Sequence, residues 1–248
     1  MISSLFNVLF HQPLYNGFIF LTSIAPFHDV GVAVVILTLI VRTLLLPVTH
    51  KTVRAQKKMR ELEPEIKRIK QETEKDKQAQ AKRVMELYQA HGVNPFSGCL
   101  VFIIQTPFIL SLFWLFNQNF ADGFGAENLY SFVSLPENIQ TAFLGLLDVS
   151  EKSLFMALLV GASQYFQIAL AMPPAAKKEE AVAPLSFKEE FARSFQTQAR
   201  YVFPVMVFFL SYTVFPAAVA LYWVTSNLFS IGHELFVRRA ALKKTNDE

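Results

Sequence analysis

Lysine and arginine are absent from residues 1–41 and again from residues 84–151, in a chain of 248 residues that carries 23 of them. Twelve lie between Lys51 and Arg83, five between Lys177 and Arg200 and four after Phe236, leaving only Arg42 and Lys152 elsewhere. The basic-free stretches hold Asp29, Glu86, Asp122, Glu127, Glu137, Asp148 and Glu151 instead. Charged residues make up 17% of the chain, against about 25% in soluble globular domains. A single cysteine, Cys99, excludes an internal disulfide. Marks of catalysis are missing as well. "HELFV" at His233 lacks the second histidine of a zinc-protease helix, and "GASQ" at Gly161 lacks the glycine that should follow Ser163 in a nucleophile turn. There is no phosphate-binding loop, no pair of intramembrane aspartates and no Cys/His cluster with metal-ligand spacing. The reading therefore expects no enzyme, no metal, no cofactor and no DNA partner. Without a positive n-region or an A-x-A-like site, it expects no cleavable leader either.

What fills the chain is apolar. Hydrophobic residues reach 52%, phenylalanine alone numbers 25, and the mean hydropathy is +0.32. Several runs approach the roughly 20 apolar residues that cross a bilayer. The fold class expected is an all-α polytopic membrane protein. Five transmembrane helices surround a hydrophilic groove, with a cytoplasmic antiparallel helical hairpin and an N-terminal interfacial helix. The bunched basic segments place 51–94, 173–200 and 237–248 in the cytoplasm, by the positive-inside rule.

Residues 1–28 are apolar but interrupted by Asn7, His11, Gln12, Pro13, Asn16 and Gly17, which favours an interfacial amphipathic helix on the outer face. A sixth span is the competing reading. Residues 29–50 form the first span, kinked by Pro47 near its cytoplasmic end. Residues 51–94 are rich in Lys, Glu and Gln. Met59, Leu62, Ile66 and Ile69 make one narrow stripe and Val84, Leu87 and Tyr88 another, as in two helices covering each other. Residues 95–118 form the second span, 119–151 an acidic outer loop, 152–172 the third span and 173–200 a cytoplasmic linker. Residues 201–215 form a fourth span of about 22 Å, shorter than the roughly 30 Å hydrocarbon core. Residues 216–236 form the fifth, and 237–248 a basic tail. No internal repeat of the kind that marks secondary transporters is visible.

Polar residues inside these spans fall on faces. Thr38 precedes Arg42 by one helical turn; Gln105 lies on the second span, and Gln164 and Gln167 on the third. Trp223, Ser226, Asn227 and Ser230 form one stripe on the fifth. An arginine in a spanning helix costs about 2.5–3.5 kcal/mol on insertion scales. One reading turns these faces toward a hydrated cavity that keeps Arg42 charged. The other lets Arg42 snorkel to the interface and makes the remaining groups interhelical hydrogen-bond partners. Apart from Asp29 at the outer edge of the first span, the only acid in the five spans is Glu234, at the end of the fifth.

Several blocks, in order, carry a resemblance: "TLIVRTLLLPVT", "KKMRELEPEIKRIK", "LYQAHGVNPFSGCLVFIIQTPF" and "VFPVMVFFLSYTVFPAAVALYWVTSNLFSI". Over about Leu5 to Lys244, the chain resembles the YidC/Oxa/Alb family of membrane protein insertases. The resemblance implies a groove open to the cytoplasm and the lipid, with Arg42 as its arginine and Thr38 and Trp223 at client-contacting positions. Gln105 and Asn227 fall in groove-lining blocks, and Gln164, Gln167 and Ser226 complete the candidate site. Lys57, Lys58, Arg60, Glu61, Pro64 and Glu65 mark the opening of the cytoplasmic hairpin. The partners implied are client membrane proteins with short hydrophilic outer segments, membrane lipids, the ribosome and a Sec-type translocase. The location implied is the bacterial plasma (inner) membrane. Two other function classes stay open: an assembly scaffold acting after another translocase, and a channel or transporter.

Overall fold

Proline, asparagine and aspartate set the helix ends in this chain. The computed structural model describes residues 5–73, 76–93, 97–122, 124–125, 129–171 and 197–246. Most of the expected 173–200 linker lies outside the described residues. A π-helical turn, Asn7–His11, leads into α1 (Gln12–Ile24), and Pro13 sits in the first turn of α1, where a missing N–H costs little. Phe27 and His28 then take positive φ, 57° and 54°, in the corner that leads to α2 (Val30–Leu44). Asp29 caps α2 by accepting the Val32 N–H at 3.0 Å.

The first expected span is corrected at its far end. Instead of running to residue 50, α2 stops at Leu44, and α3 (Leu46–Glu61) leaves it at 66°. Pro47 supplies the reason: it has no N–H for the Thr43 carbonyl, and its ring opposes continuation of the helix. Residues 46–50 therefore belong to the first arm of the charged hairpin. That arm restarts at Leu62, with Pro64 in the first turn of α4 (Glu63–Glu72). The return arm is α5 (Lys77–Ala90), capped by Asp76, whose side chain accepts the Gln78 and Ala79 N–H groups. An Arg83–Glu72 ion pair at 3.4 Å ties the arms near their turn. Farther down, burial and then the Glu63 carboxylate push the Tyr88 phenol above its usual value. Helices α4 and α5 pack on each other.

Beyond the hairpin, α6 (Ser97–Asp122) carries Pro107 within it and outlasts the expected span boundary at 118. The loop that follows holds a short ribbon, β1 (Ala142–Phe143) paired antiparallel with β2 (Leu147–Asp148). This ribbon is a small departure from an all-α chain. Then come α7 (Leu154–Ala171), a π-helical turn at Gln198–Val202, α8 (Phe203–Thr213) and α9 (Ala217–Asn246). The expected 237–248 tail is not separate: with no glycine after Gly232 and no proline after Pro216, α9 continues through it to Asn246. Among the described residues, α7 alone is long and apolar enough to cross a membrane by itself. The α2–α3 pair passes the same test as a bent unit, and Ile104–Asn117 is a shorter apolar stretch.

Helix α9 packs on α7, α2, α6 and α3, and α7 also packs on α8. Gly161 lets α7 and α8 approach, because a Cβ there would lie 3.2 Å from Phe208 Cβ. The first helix is an integral part of this assembly. Phe18 and Ile19 are fully buried, the Phe18 ring meets Phe116 edge-on at 5.2 Å, and Tyr15 donates to the Gly125 carbonyl at 2.6 Å.

The N-termini of α2, α7 and α9 converge at one end, where the loop satisfies N–H groups that a helix cannot satisfy itself. Val30 N–H donates to the Gln140 carbonyl at 2.9 Å, Ala217 N–H to Glu151 at 2.7 Å and Ala218 N–H to Val149 at 2.8 Å. We call this the loop end. The opposite one is the hairpin end.

Candidate functional site

Each polar face identified in the sequence reaches a partner. Helix α9 stands in the middle, with Tyr222 and Ser226 turned to α2 and α6 and with Trp223 and Asn227 turned to α7. On the first side, Arg42 Nε donates to Ser226 Oγ at 2.6 Å. Gln105 Nε2 donates to the Tyr222 hydroxyl, which also bonds Ser226. On the second side, Gln164 is the hub. Its Oε1 accepts from Trp223 Nε1 at 2.8 Å and from Asn227 Nδ2 at 3.2 Å, and its Nε2 donates to Gln167 Oε1 at 3.0 Å. Asn227 Nδ2 also lies 3.1 Å from Ser163 Oγ. Both oxygen lone pairs and one amide N–H of Gln164 are thereby used, as a buried amide requires.

Thr38 comes close without joining. Its hydroxyl donates to the Val34 carbonyl of its own helix at 2.6 Å, a common resting place for a threonine in an apolar helix. Beside it lies a small void of about 10 Å³, lined by Leu14, Val34, Leu37, Thr38, Val41, Phe108, Leu112 and Tyr222. That is room for about one water.

Arg42 is 7% exposed. Its neighbours there are neutral hydroxyls and amides. Among the described residues it forms no ion pair, and its Nη1 and Nη2 groups have no bonded acceptor. A buried guanidinium with only a hydroxyl partner is poorly compensated, since buried charges are ordinarily paired. This arrangement can accept a carboxylate through the free fork of the guanidinium.

The hairpin residues are spread along the arm rather than gathered. Lys57 and Glu61 pair at 3.2 Å along one helix face, while Lys58, Pro64 and Glu65 are exposed. Arg60 instead reaches α9, 3.9 Å from Glu234, which also takes Arg238 Nε at 3.0 Å. Arg238 donates in addition to the Leu170 carbonyl at the end of α7. Above this group, His50 Nδ1 lies 3.1 Å from His233 Nε2.

Sequence reasoning missed Tyr222, Ser163 and the contacts at the hairpin end. Tyr222 was within reach, since it sits one turn before Ser226 on the same stripe. The spacing of Glu234 and Arg238 also signals an i,i+4 pair. The His50–His233 contact joins helices far apart in sequence and left no local mark.

Polar faces interdigitated between apolar helices are consistent with a helical membrane protein. The chain belongs to the 60Kd inner membrane protein family, whose family model matches residues 20–245. It is 30% identical over 227 residues to a membrane protein insertase YidC of Streptomyces avermitilis, covering 84% of this chain and 51% of that one. A protein of the same name from Clostridium tetani is 28% identical over 222 residues, covering 88% of this chain and 86% of the relative. Another, from Francisella tularensis, is 30% identical over 209 residues, with 84% of this chain but 32% of the relative aligned. The chain thus spans about half of the first relative, most of the second and about a third of the third.

Proposed function

We propose that this chain is a membrane protein insertase of the bacterial inner membrane that receives a client's short hydrophilic end beside Arg42. The observation that carries this reading is a buried arginine without a resident carboxylate among the described residues. The relatives' shared name supports it. In this reading α2, α6, α7, α8 and α9 span the bilayer, α1 lies at the outer interface, and the hairpin, the 173–200 linker and the end of α9 face the cytoplasm.

A client carboxylate engages the Nη1/Nη2 fork while Ser226 keeps the Nε–H. Attraction in so poorly hydrated a site exceeds its value in water, and desolvation of the carboxylate offsets part of it. The Gln164 hub keeps one amide N–H, and Gln167 beside it the N–H groups of its own amide, for the client backbone. Helix α8 and the π-turn that runs into it cover Gln198 to Thr213, about 22–24 Å of rise, so the hydrocarbon layer beside it thins or is shielded. The client's apolar segment then leaves into lipid, driven by burial at about 25 cal/mol per Å². No nucleotide or covalent step is involved. Ribosome and Sec-type translocase contacts belong to the same proposal, with the hairpin and the basic end of α9 facing them.

The test uses purified protein in proteoliposomes and a single-span client with a short acidic outer tail, scored by protease protection of the tail. Arg42→Ala and Arg42→Glu should each lower protection about tenfold or more, equivalent to roughly 1.4 kcal/mol of lost stabilisation. Arg42→Lys should fall between them and wild type, because a point charge replaces a bidentate fork. Equal protection in all four proteins would refute the role of Arg42. No protection above empty liposomes would favour a scaffold acting after another translocase.

A further inference from the structure

The loop end carries three large apolar side chains that no described part of the chain covers. Phe27 is 83% exposed, Leu144 64% and Leu146 89%. They share one corner: the Gln140 N–H donates to the His28 carbonyl at 3.1 Å, and the Leu144 N–H donates to Asp29 Oδ2 at 2.7 Å. Two of the three sit in a backbone region that side-chain-bearing residues avoid, Phe27 at φ 57° and Leu144 at φ 52°. The fold holds them there. Asp29 fixes the ribbon tip while capping α2, and the Phe143 ring lies where a Cβ of Gly31 would be. Conformations of this kind persist where the surroundings impose them, and they accompany function. Neither a mobile loop tip nor a buried core explains a rigid corner that points leucine and phenylalanine outward.

We propose that Phe27, Leu144 and Leu146 form an apolar knuckle seated in the outer leaflet of the membrane, anchoring the loop end at a fixed depth. A lipid surface is favoured over a protein partner by continuity. Helix α7 begins at Leu154, six residues after the ribbon, and at once presents exposed Leu154, Phe155 and Leu158. The knuckle lies at the same end as this apolar face. Interfacial seating needs only shallow burial of a few such side chains beside polar neighbours such as Glu137 and Asp148. Because the ribbon is bonded to α2 and the adjoining loop to α9, the anchor holds the N-termini of both at the outer surface.

This inference rests on the membrane placement proposed above, and the test separates the two. In a Cys99→Ser background, single cysteines at Leu146→Cys, Glu137→Cys and Phe155→Cys are labelled with an environment-sensitive fluorophore. The labelled proteins are placed in nanodiscs of phosphatidylethanolamine and phosphatidylglycerol, where both faces are open to solvent. Iodide should quench the probe at 146 about threefold less than at 137, and lipids brominated near the headgroup should quench it about as well as at 155. Iodide quenching at 146 equal to that at 137 overturns the knuckle. Shielding from iodide without quenching by lipid also overturns it and indicates a protein contact. Lipid quenching at 155 but not at 146 leaves the membrane placement standing without the knuckle. Its absence at both sites removes the membrane placement itself.

Discussion

The two ends of the helix assembly are closed by different chemistry. At the loop end, backbone meets backbone: Gln140, Val149 and Glu151 carbonyls receive the first N–H groups of α2 and α9, and Asp29 joins a cap to a ribbon. At the hairpin end, long side chains meet: Arg60 and Arg238 on Glu234, and His50 on His233. Backbone bonds of this kind leave little freedom, since releasing them strands buried donors. Glu234 is buried, but Arg60 and Arg238 each keep part of their side chain in water, so these ion pairs have more freedom to part than the backbone bonds do. An assembly tied through its backbone at one end and through side chains at the other is looser at the second, and that is the end from which we propose the client enters.

The sharpest way to break this contrast is at Gly31, where any Cβ would run into the Phe143 ring. Gly31→Leu should destabilise by about 3 kcal/mol, as overpacking does, and lower the Tm in detergent by roughly 6–12 °C for a chain of this size. Gly17→Ala is the matched control. Its Cβ would rest 3.5 Å from Leu37 Cδ1, an ordinary contact, so the Tm should hold or rise slightly. Next in size is Asp29→Ala, which removes the α2 cap and the acceptor for Leu144 N–H together; about 2 kcal/mol is expected. Asp29→Asn keeps one acceptor and should lose about half as much.

The hairpin end should be more forgiving. Glu234→Gln removes the buried charge that Arg60 and Arg238 share but keeps an amide oxygen to accept from them, and should cost about 1.5 kcal/mol. Wild type should lose slightly more stability in high salt than the Glu234→Gln protein, since screening reaches the pair only through the exposed parts of Arg60 and Arg238. If the two respond alike, the tie at this end is not electrostatic.

How much of this was legible before any coordinates? The polar faces were, because period 3.6 places Thr38 with Arg42 and Trp223 with Asn227 whatever the surroundings. Their partners could be guessed only as a group. That Gln164 serves both Trp223 and Asn227 while Arg42 turns to Ser226 depends on helix rotation, which apolar helices with polar residues on several sides do not fix by themselves. The turn at Leu45 was half-visible: Pro47 announces a disruption, but a proline can kink a helix or end it, and packing against neighbours decides. The loop end was opaque. Asp29 reads as an N-cap, yet its second oxygen serves Leu144, more than a hundred residues later, and no local pattern encodes that.

The smallest effect lies in the loop itself and sharpens the contrast through pH. Asp148 Oδ1 accepts from the Ser150 N–H at 2.9 Å and the Ser150 hydroxyl at 2.6 Å. Chiefly through that hydroxyl bond, its carboxyl is held below the usual value. A depressed folded value means that the folded protein is ionised where the unfolded chain still binds protons. The contribution is therefore complete above the unfolded value and is lost as pH falls through the folded one. Asp148 is largely exposed, so the effect should be about 0.5 kcal/mol or less. Asp148→Asn should lower the Tm slightly at neutral pH, and the gap from wild type should close in acid below the ordinary carboxylate range. Ser150→Ala, which keeps the backbone N–H bond, should show part of the neutral-pH loss, and its gap from wild type should close over the same acid range. A gap that persists unchanged in acid would mean that shape at the ribbon matters and the charge of Asp148 does not.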